Sequence, residues 1–426
     1  MIEEQRERAL LVGVDTGEEV DFERSMDELK SLAEACHMQV VGLITQKMVA
    51  VNKALYVGTG KVAEIKEFVG ECNAESVIFD NALSPSQIRN LQEALDMPIL
   101  DRTTLILDIF AIRAQTREAK LQVETARLQY LLPRLVGMHE ALSRQGGASG
   151  SMSNKGTGEK KLELDRRKIE HRISELRKEL EAVAMDRQVQ RKKRMNSRTP
   201  QVALVGYTNA GKSTVMNQMV QKYIGNEEKK VLEKDMLFAT LETSVRSIET
   251  GDNKPFFLVD TVGFIHKLPH GLVKAFHSTL EEVKYADLLV QVIDFSDEQY
   301  RQQMEVTAET LKELDAGNIP MVYVYNKADK CMDISQLPKI KDKHIYMSAV
   351  NDVGIEELVK LIKEQVYADT ENVQFLIPYD KGALVSYFME NATIMEQEYL
   401  ENGVRLMVNC HKQDAAKYKE YVIETE

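Results

Sequence analysis

The chain contains no tryptophan, and only 9 prolines and 4 cysteines are spread over its 426 residues. The cysteines (Cys36, Cys72, Cys331 and Cys410) lie far apart and match no metal or redox spacing. That excludes a disulfide scaffold and leaves reduced thiols whose role is packing. No apolar run approaches the roughly 20 residues that a membrane-spanning helix needs. The opening stretch, Met1-Ile2-Glu3-Glu4-Gln5-Arg6, has no apolar signal core, so a cytoplasmic protein is expected. Basic residues are in deficit, 55 against 67 acidic ones for a net charge of −12, which argues against a uniformly basic binder and against DNA as a partner. A hydrophobic content of 43% with 29% charged residues is that of an ordinary globular chain, long enough for about two to four domains.

The charge is not evenly spread. Residues 160–198 hold 14 Lys/Arg against 7 Asp/Glu, so this stretch carries +7 while the remainder carries −19. Two readings stay open for it, a solvated helix face or a local surface for an anionic partner.

Residues 9–102 alternate short apolar strands with helices. Ala9–Val14, Val40–Thr45, Val77–Phe79 and Pro98–Leu100 read as strands. Phe22, Met26, Leu29, Ala33 and Cys36 recur at helical spacing, as do Val62, Ile65, Phe68 and Val69. Ser84-Pro85-Ser86 opens a further helix carrying Ile88, Leu91 and Leu95. Such alternation implies a parallel sheet covered by helices. Gly58-Thr59-Gly60-Lys61 lacks the first glycine and the hydroxyl residue of a phosphate loop and reads as a turn before a helix.

From Thr103 the pattern lengthens. Leu121, Leu128 and Leu135 are seven residues apart, as are Leu162, Ile169, Leu176 and Val183, with Ile173 and Leu180 interleaved. Two such stripes predict an antiparallel helical hairpin with a coiled-coil seam, kinked at Pro133, whose second helix reaches roughly 50 Å at 1.5 Å per residue. Its tip, 143–159, is rich in glycine and serine and is expected to be mobile when free. Few aromatics lie here to stack on bases. An RNA partner would therefore be read by shape and phosphate, through the 166–168 and 191–194 basic clusters.

The densest chemistry lies downstream. The strand Val202–Val205 runs into Gly206-Tyr207-Thr208-Asn209-Ala210-Gly211-Lys212-Ser213-Thr214 and then a helix, which is the phosphate-binding loop in its required setting. Glycines at 206 and 211 permit a tight turn whose N–H groups face a polyphosphate. Lys212 adds a point charge and Ser213 a hydroxyl for Mg²⁺. Asp260-Thr261-Val262-Gly263 follows the strand Phe256–Val259, with Asp260 placed to hold Mg²⁺ and the Gly263 amide to meet a γ-phosphate. Phe238-Ala239-Thr240-Leu241-Glu242 is the segment expected to close over the metal through Thr240. Asn326-Lys327-Ala328-Asp329, after the strand Met321–Tyr325, and Ser348-Ala349-Val350, after Ile345–Met347, read guanine, the Asp329 carboxylate accepting two hydrogen bonds from the base. GTP is thus the expected substrate and Mg²⁺ the cofactor. Lys212, Thr240 and Gly263 are the candidate catalytic groups, and Ser213, Thr240 and Asp260 the candidate metal ligands. Phe264 stands where many small GTPases carry the glutamine that orients water, so hydrolysis is expected to be slow until a partner orders the site.

Taken together, Gly206–Thr214, Leu237–Leu241, Asp260–Ile265 and the run Leu268-Pro269-His270-Gly271 to Leu280-Glu281-Glu282 resemble the HflX GTPases. So do Asp101-Arg102-Thr103, Leu105–Ala111, Lys120–Glu124, Leu132–Leu135 and Asp165-Arg166-Arg167, so the likeness covers essentially the whole chain. The resemblance implies a monomeric GTPase that binds the large ribosomal subunit, is stimulated there, and splits or rescues stalled ribosomes, its arm directed at rRNA near the peptidyl transferase region. Three places depart from the family's pattern: Ser151–Lys155 in the tip, Glu242-Thr243-Ser244-Val245 after Leu241, and Val350 where a lysine is usual. An antibiotic-resistance paralogue and a GTP-regulated switch with a protein partner are the alternatives. The expected architecture is α/β throughout. It comprises an N-terminal parallel α/β domain (1–112), a helical hairpin arm (113–198), a P-loop GTPase domain (199–368) and a small α+β C-terminal domain (369–426).

Overall fold

The structure, a computed structural model, describes residues 6–17, 21–145, 155–196, 199–224, 238, 244–267 and 282–423. The chain divides into two compact units. The first holds the described residues up to Gln190 together with Phe238 and Ile265–Lys267, and the second holds the remaining described residues.

The first unit is built on a four-stranded sheet of order β2-β1-β3-β4, where β1 is Arg8–Asp15, β2 Gln39–Lys47, β3 Ser76–Phe79 and β4 Ile99–Asp101. All three pairings are parallel, as the alternation of elements predicts. Ala9 to Val12 are fully buried because helices cover both faces of a parallel sheet. Those helices are α1 (Phe22–Ala35), α2 (Thr59–Cys72), α3 (Pro85–Leu95) and α4 (Arg102–Arg113). Gly58 is the cap residue before α2, so Gly58–Lys61 is a turn into a helix. Ser84 and Gln87 form a reciprocal capping box at the start of α3.

The arm follows as α5 (Arg117–Gln145) and α6 (Lys155–Asn196). α5 runs on through Pro133, which leaves the Gln129 carbonyl without a helical N–H partner. The 42 residues of α6 correspond to about 63 Å at the helical rise. Arg117 pairs with Glu179 at 2.9 Å and Glu124 with Arg172 at 2.8 Å, so the two helices run antiparallel. Leu121, Ile173 and Leu176 are buried and Leu128, Ile169, Leu180 and Val183 half-buried, in keeping with the predicted seam. Leu135 and Leu162 lie outside the described side chains, and 146–154 of the tip outside the described residues.

One carboxylate fixes the root of the arm. Asp101 is fully buried and caps α4 by accepting from the Thr104 N–H at 2.9 Å. It also accepts from the Leu83 N–H at 3.0 Å, from Arg134 of α5 at 3.1 Å, and from the Tyr130 hydroxyl.

The second unit carries a seven-stranded sheet of order β10-β11-β9-β8-β5-β7-β6. Its members are β5 (Gln201–Val205), β6 (Ser244–Ile248), β7 (Phe256–Asp260), β8 (Leu288–Asp294), β9 (Met321–Asn326), β10 (Lys339–Lys341) and β11 (His344–Tyr346). The five central strands are parallel, and β6 and β10 add antiparallel edges that the sequence reading did not anticipate. Helices α7 (Lys212–Tyr223), α8 (Tyr300–Glu313) and α9 (Ile355–Val366) belong to this sheet's layers. The C-terminal portion is a separate antiparallel sheet, β12-β14-β13, over α10 (Gly382–Asn391), with its own core around Phe375, Phe388 and Leu406. Its strands are β12 (Thr370–Ile377), β13 (Thr393–Leu400) and β14 (Gly403–His411). Among the described residues no helix is long and apolar enough to cross a membrane, and the four cysteines are free.

Because Asp101 serves β4, α4, the α3 approach and α5 at once, Asp101→Ala strands several buried donors together. The expected loss is about 3–5 kcal/mol in the first unit, measured as a lowered urea midpoint for the transition that reports that unit.

Candidate functional site

The site assembles at the carboxyl ends of β5, β7, β8, β9 and β11, where open α/β sheets bind ligands. β5 is buried along its whole length and delivers the chain into the loop 206–211. Gly206 turns at φ +141°, and a Cβ there would meet the Val292 carbonyl oxygen at 2.2 Å. Gly211, at φ +96°, caps α7, and a Cβ there would strike Asn326 Nδ2 at 2.2 Å. Both positions therefore demand glycine.

Lys212, the first residue of α7, is 6% exposed, and its ammonium donates to the Gly206 carbonyl at 3.0 Å and the Tyr207 carbonyl at 2.7 Å. Burial pulls this ammonium down to about 8, against the opposing pull of the Asp260 carboxylate. One residue on, Ser213 Oγ donates to Asp260 Oδ2 at 3.1 Å. Asp260 ends β7 fully buried, and the next hydroxyl, Thr261 Oγ1, donates to the Leu204 carbonyl at 2.6 Å, locking β7 to β5.

The segment after Asp260 returns over the loop. Phe264 N–H donates to the Gly206 carbonyl at 3.1 Å, and Thr208 N–H donates to the Phe264 carbonyl at 2.8 Å, making a short parallel bridge. Gly263 is consequently pressed against the loop: an ideal Cβ on it would lie 2.8 Å from Thr208 Cα and 3.0 Å from Lys212 Nζ. Phe264 is 2% exposed, so its ring packs.

Asn326 is the keystone of the other half. Its Nδ2 donates to the Ala210 carbonyl at 3.0 Å, and its Oδ1 accepts from the Ala349 N–H at 3.0 Å. One buried amide thus joins the phosphate loop, the end of β9 and the Ser348-Ala349 turn. Lys327 follows at φ +58° and donates to the Asn209 carbonyl at 2.8 Å and to Asp294 Oδ2 at 2.7 Å. Ala328, Asp329 and Lys330 form a single 3₁₀ turn in which Asp329 is half-buried. Ser348 is held by a backbone pair with Val353, and Val350 is 74% exposed beside it.

The structure therefore brings together the loop 206–214, Asp260–Gly263, Asn326–Asp329 and Ser348–Val350. Ala239, Thr240, Leu241 and Glu242 lie outside the described residues. Phe238 is described, at φ +54°, with its ring edge-on to Phe110 of α4 at 4.7 Å. Asp294 escaped the sequence reading. Its signal was a carboxylate closing the apolar run of β8 next to the strand that carries Asn326.

Three family models match this chain. One described as a GTP-binding GTPase N-terminal region covers residues 23–111, one described as a GTP-binding GTPase middle region covers 113–194, and one described as a 50S ribosome-binding GTPase covers 201–327. A GTPase HflX of Caldanaerobacter subterraneus subsp. tengcongensis is 41% identical over 98% of this chain and 94% of its own length. The GTPase HflX of Escherichia coli is 39% identical over 93% of this chain and 91% of its own. Among solved structures, a GTP-binding protein from Sulfolobus solfataricus in complex with GDP is 24% identical, covers 84% of this chain and 98% of its own, and aligns with a TM-score of 0.44.

The lowered Lys212 sets a pH dependence. An anion favours the charged ammonium, and burial removes that charge above about pH 8 in the free protein, so anion binding at Lys212 there requires proton uptake. GTP affinity is expected to be level from pH 6.5 to 7.5 and to weaken by up to about tenfold between pH 8 and 9. Fluorescence titration of a labelled nucleotide across that range measures it.

Proposed function

The chain belongs to the HflX family of GTPases, enzymes that convert GTP to GDP and phosphate, and from that membership we propose that it engages the large ribosomal subunit through its helical arm and splits or rescues stalled ribosomes, hydrolysing GTP faster there. The observation that carries this reading is whole-chain identity of about 40% to GTPase HflX relatives, together with a match over 201–327 to a family described as 50S ribosome-binding. The arm supports it independently. Its basic residues are concentrated in 160–198 of an otherwise acidic chain, which suits contact with RNA phosphate at one place only.

Within the site, the N–H groups of Gly206–Thr214 and the start of α7 would cradle the phosphates, with Lys212 neutralising the outer two. Asp329 would take the two donors of the guanine edge. The Ala349 N–H, already given to Asn326, would share itself with the guanine carbonyl. A serine hydroxyl and a carboxylate oxygen 3.1 Å apart make a hard-oxygen pair that fits Mg²⁺. Ser213 and Asp260 would hold the ion, with Thr240 completing the set. When bound, Mg²⁺ supplies charge neutralisation of the phosphate oxygens during transfer.

The Gly263 amide would stabilise charge on the γ-phosphate, and Lys212 would do the same from the opposite side. Phe264 carries no group that could orient a water molecule, and its ring is committed to packing. The chain's own residues thus provide binding and charge stabilisation but no water-orienting side chain at that position, which suits a slow basal rate and a ribosome-supplied ordering of the switch segments.

GTP turnover with and without purified large subunits tests this reading, alongside a variant lacking 143–159. Strong stimulation by the subunit, reduced in the deletion, is expected. Equal rates with and without the subunit would refute the ribosomal assignment.

A further inference from the structure

The charge of Lys327 is met from two sides. Its ammonium donates to the Asn209 carbonyl of the phosphate loop at 2.8 Å and to Asp294 Oδ2 at 2.7 Å. The carbonyl offers a partial charge and the carboxylate a whole one. Both side chains of the ion pair are 18% exposed, so their attraction is screened less than that of a surface pair.

Asp294 is oriented independently of Lys327. It closes β8 directly opposite Asn326 in the parallel pairing with β9, and the Phe295 N–H donates to the Asn326 carbonyl at 2.9 Å. Its other oxygen, Oδ1, accepts from the Ser296 N–H at 3.0 Å and from the Ser296 hydroxyl at 2.6 Å. Those two bonds fix the rotation of the carboxylate, so little side-chain freedom is lost when Oδ2 meets Lys327. Phe295 anchors the same turn, its ring edge-on to Tyr325 at 5.7 Å and to Tyr346 at 5.1 Å. Tyr325 precedes Asn326, and Tyr346 stands two residues before Ser348. The ends of β8, β9 and β11 therefore share one aromatic packing, with Asp294 mounted on it.

Lys327 is a residue that needs such a mount. Its backbone lies at φ +58°, where a lysine is held only by its surroundings. An unpaired lysine side chain samples many rotamers, and ordering it on a ligand opposes binding. Clamped at the ammonium as well as at the backbone, its apolar stem is already ordered before a nucleotide arrives.

We propose that Asp294 is a positioning residue for the nucleotide, acting through Lys327, whose stem it holds against the face of the purine. This rests on the assignment of Asn326–Asp329 to guanine made above. A stem packs on any purine face and reads no edge. Asp294 thus sets how tightly the nucleotide is held, and the choice of purine falls to Asp329.

The test is a double-mutant cycle in the full-length protein, read as affinity for labelled GDP, with inosine diphosphate, which lacks the exocyclic amine, as competitor. Asp294→Asn keeps the side chain's size and an acceptor for the Ser296 N–H but removes the charge. Lys327→Met keeps a stem and removes the ammonium. GDP binding is expected to weaken about tenfold in Asp294→Asn, the worth of one charge-assisted hydrogen bond, with the preference for GDP over inosine diphosphate unchanged. Adding Asp294→Asn to Lys327→Met is expected to change affinity by less than about twofold, because the partner is already gone. An unchanged circular dichroism melt verifies the fold, and Asp294→Ser is carried through the same cycle if Asp294→Asn melts lower. Wild-type affinity in Asp294→Asn, an equal loss in both backgrounds, or a changed preference between the two diphosphates overturns the proposal and leaves the guanine assignment standing. Lys327→Met and Asp329→Asn proteins that both bind GDP as the wild type does overturn that assignment, and the role of Asp294 with it.

Discussion

The buried carboxylate of Asp80 is the constraint from which much of the first unit follows. An ionised group with no exposure is tolerable only if its surroundings supply opposite charge and hydrogen bonds. Here the supply comes from three directions in sequence: Arg102 from the start of α4, Ser25 from α1, and Lys267 from far down the chain. The first two tie α1 and α4 to the carboxyl end of the parallel sheet. The third makes a residue that follows Asp260–Gly263 part of that unit's polar core. Removing either cation leaves a buried carboxylate with unmatched charge, and removing Ser25 leaves it one hydrogen bond short, which is why such a cluster specifies one arrangement even where its net contribution to stability is small.

Asn326 plays the corresponding part in the second unit, with a neutral group. A carboxamide can donate and accept at once, so one side chain satisfies the Ala210 carbonyl and the Ala349 amide, two backbone groups that no sheet or helix reaches. Aspartate in its place would repel the Ala210 carbonyl, and leucine would leave both groups unsatisfied. The positive φ of Lys327 goes with the same arrangement, the chain turning sharply after Asn326 into the 3₁₀ turn Ala328–Lys330.

Most of this architecture was legible in the sequence because the relevant signals are local. The parallel strands β1 to β4 read as apolar runs, the Ser84 cap and the Gly58 turn as helix starts, and the phosphate loop as a motif with its strand and helix attached. The heptad stripes located both arm helices, and salt bridges at matching depths then fixed their direction. What escaped is non-local or weakly patterned. Lys339–Lys341 is a strand only because β11 pairs with it, and its three residues are all exposed, so no hydrophobic period marks it. Thr393–Leu400 is likewise mostly exposed and owes its conformation to pairing with β14. The Lys267 seat was unreadable for a different reason: its members stand as many as 242 residues apart, and no spacing rule connects a lysine after Asp-Thr-Val-Gly to an aspartate after β3.

The distribution of charge bears on where along the chain an anionic surface would be attracted. A net −12 would repel a phosphate surface if it acted as a single charge, but at physiological salt charges separated by more than about 8 Å are largely screened from one another. The +7 of residues 160–198 is drawn out along most of the 42 residues of α6, so opposite charges elsewhere cancel it only where they lie within that distance. Within the arm, Arg117, Arg172 and Arg166 are already matched by Glu179, Glu124 and Glu170. These pairs are exposed and individually worth little, yet they lower the local density of unmatched positive charge at the level of Glu124 and Glu179. Beyond them in sequence, 187–198 carries six basic residues and no acidic one. By sequence, the unmatched positive charge of this stretch is thus concentrated after Asp186, beyond the paired residues.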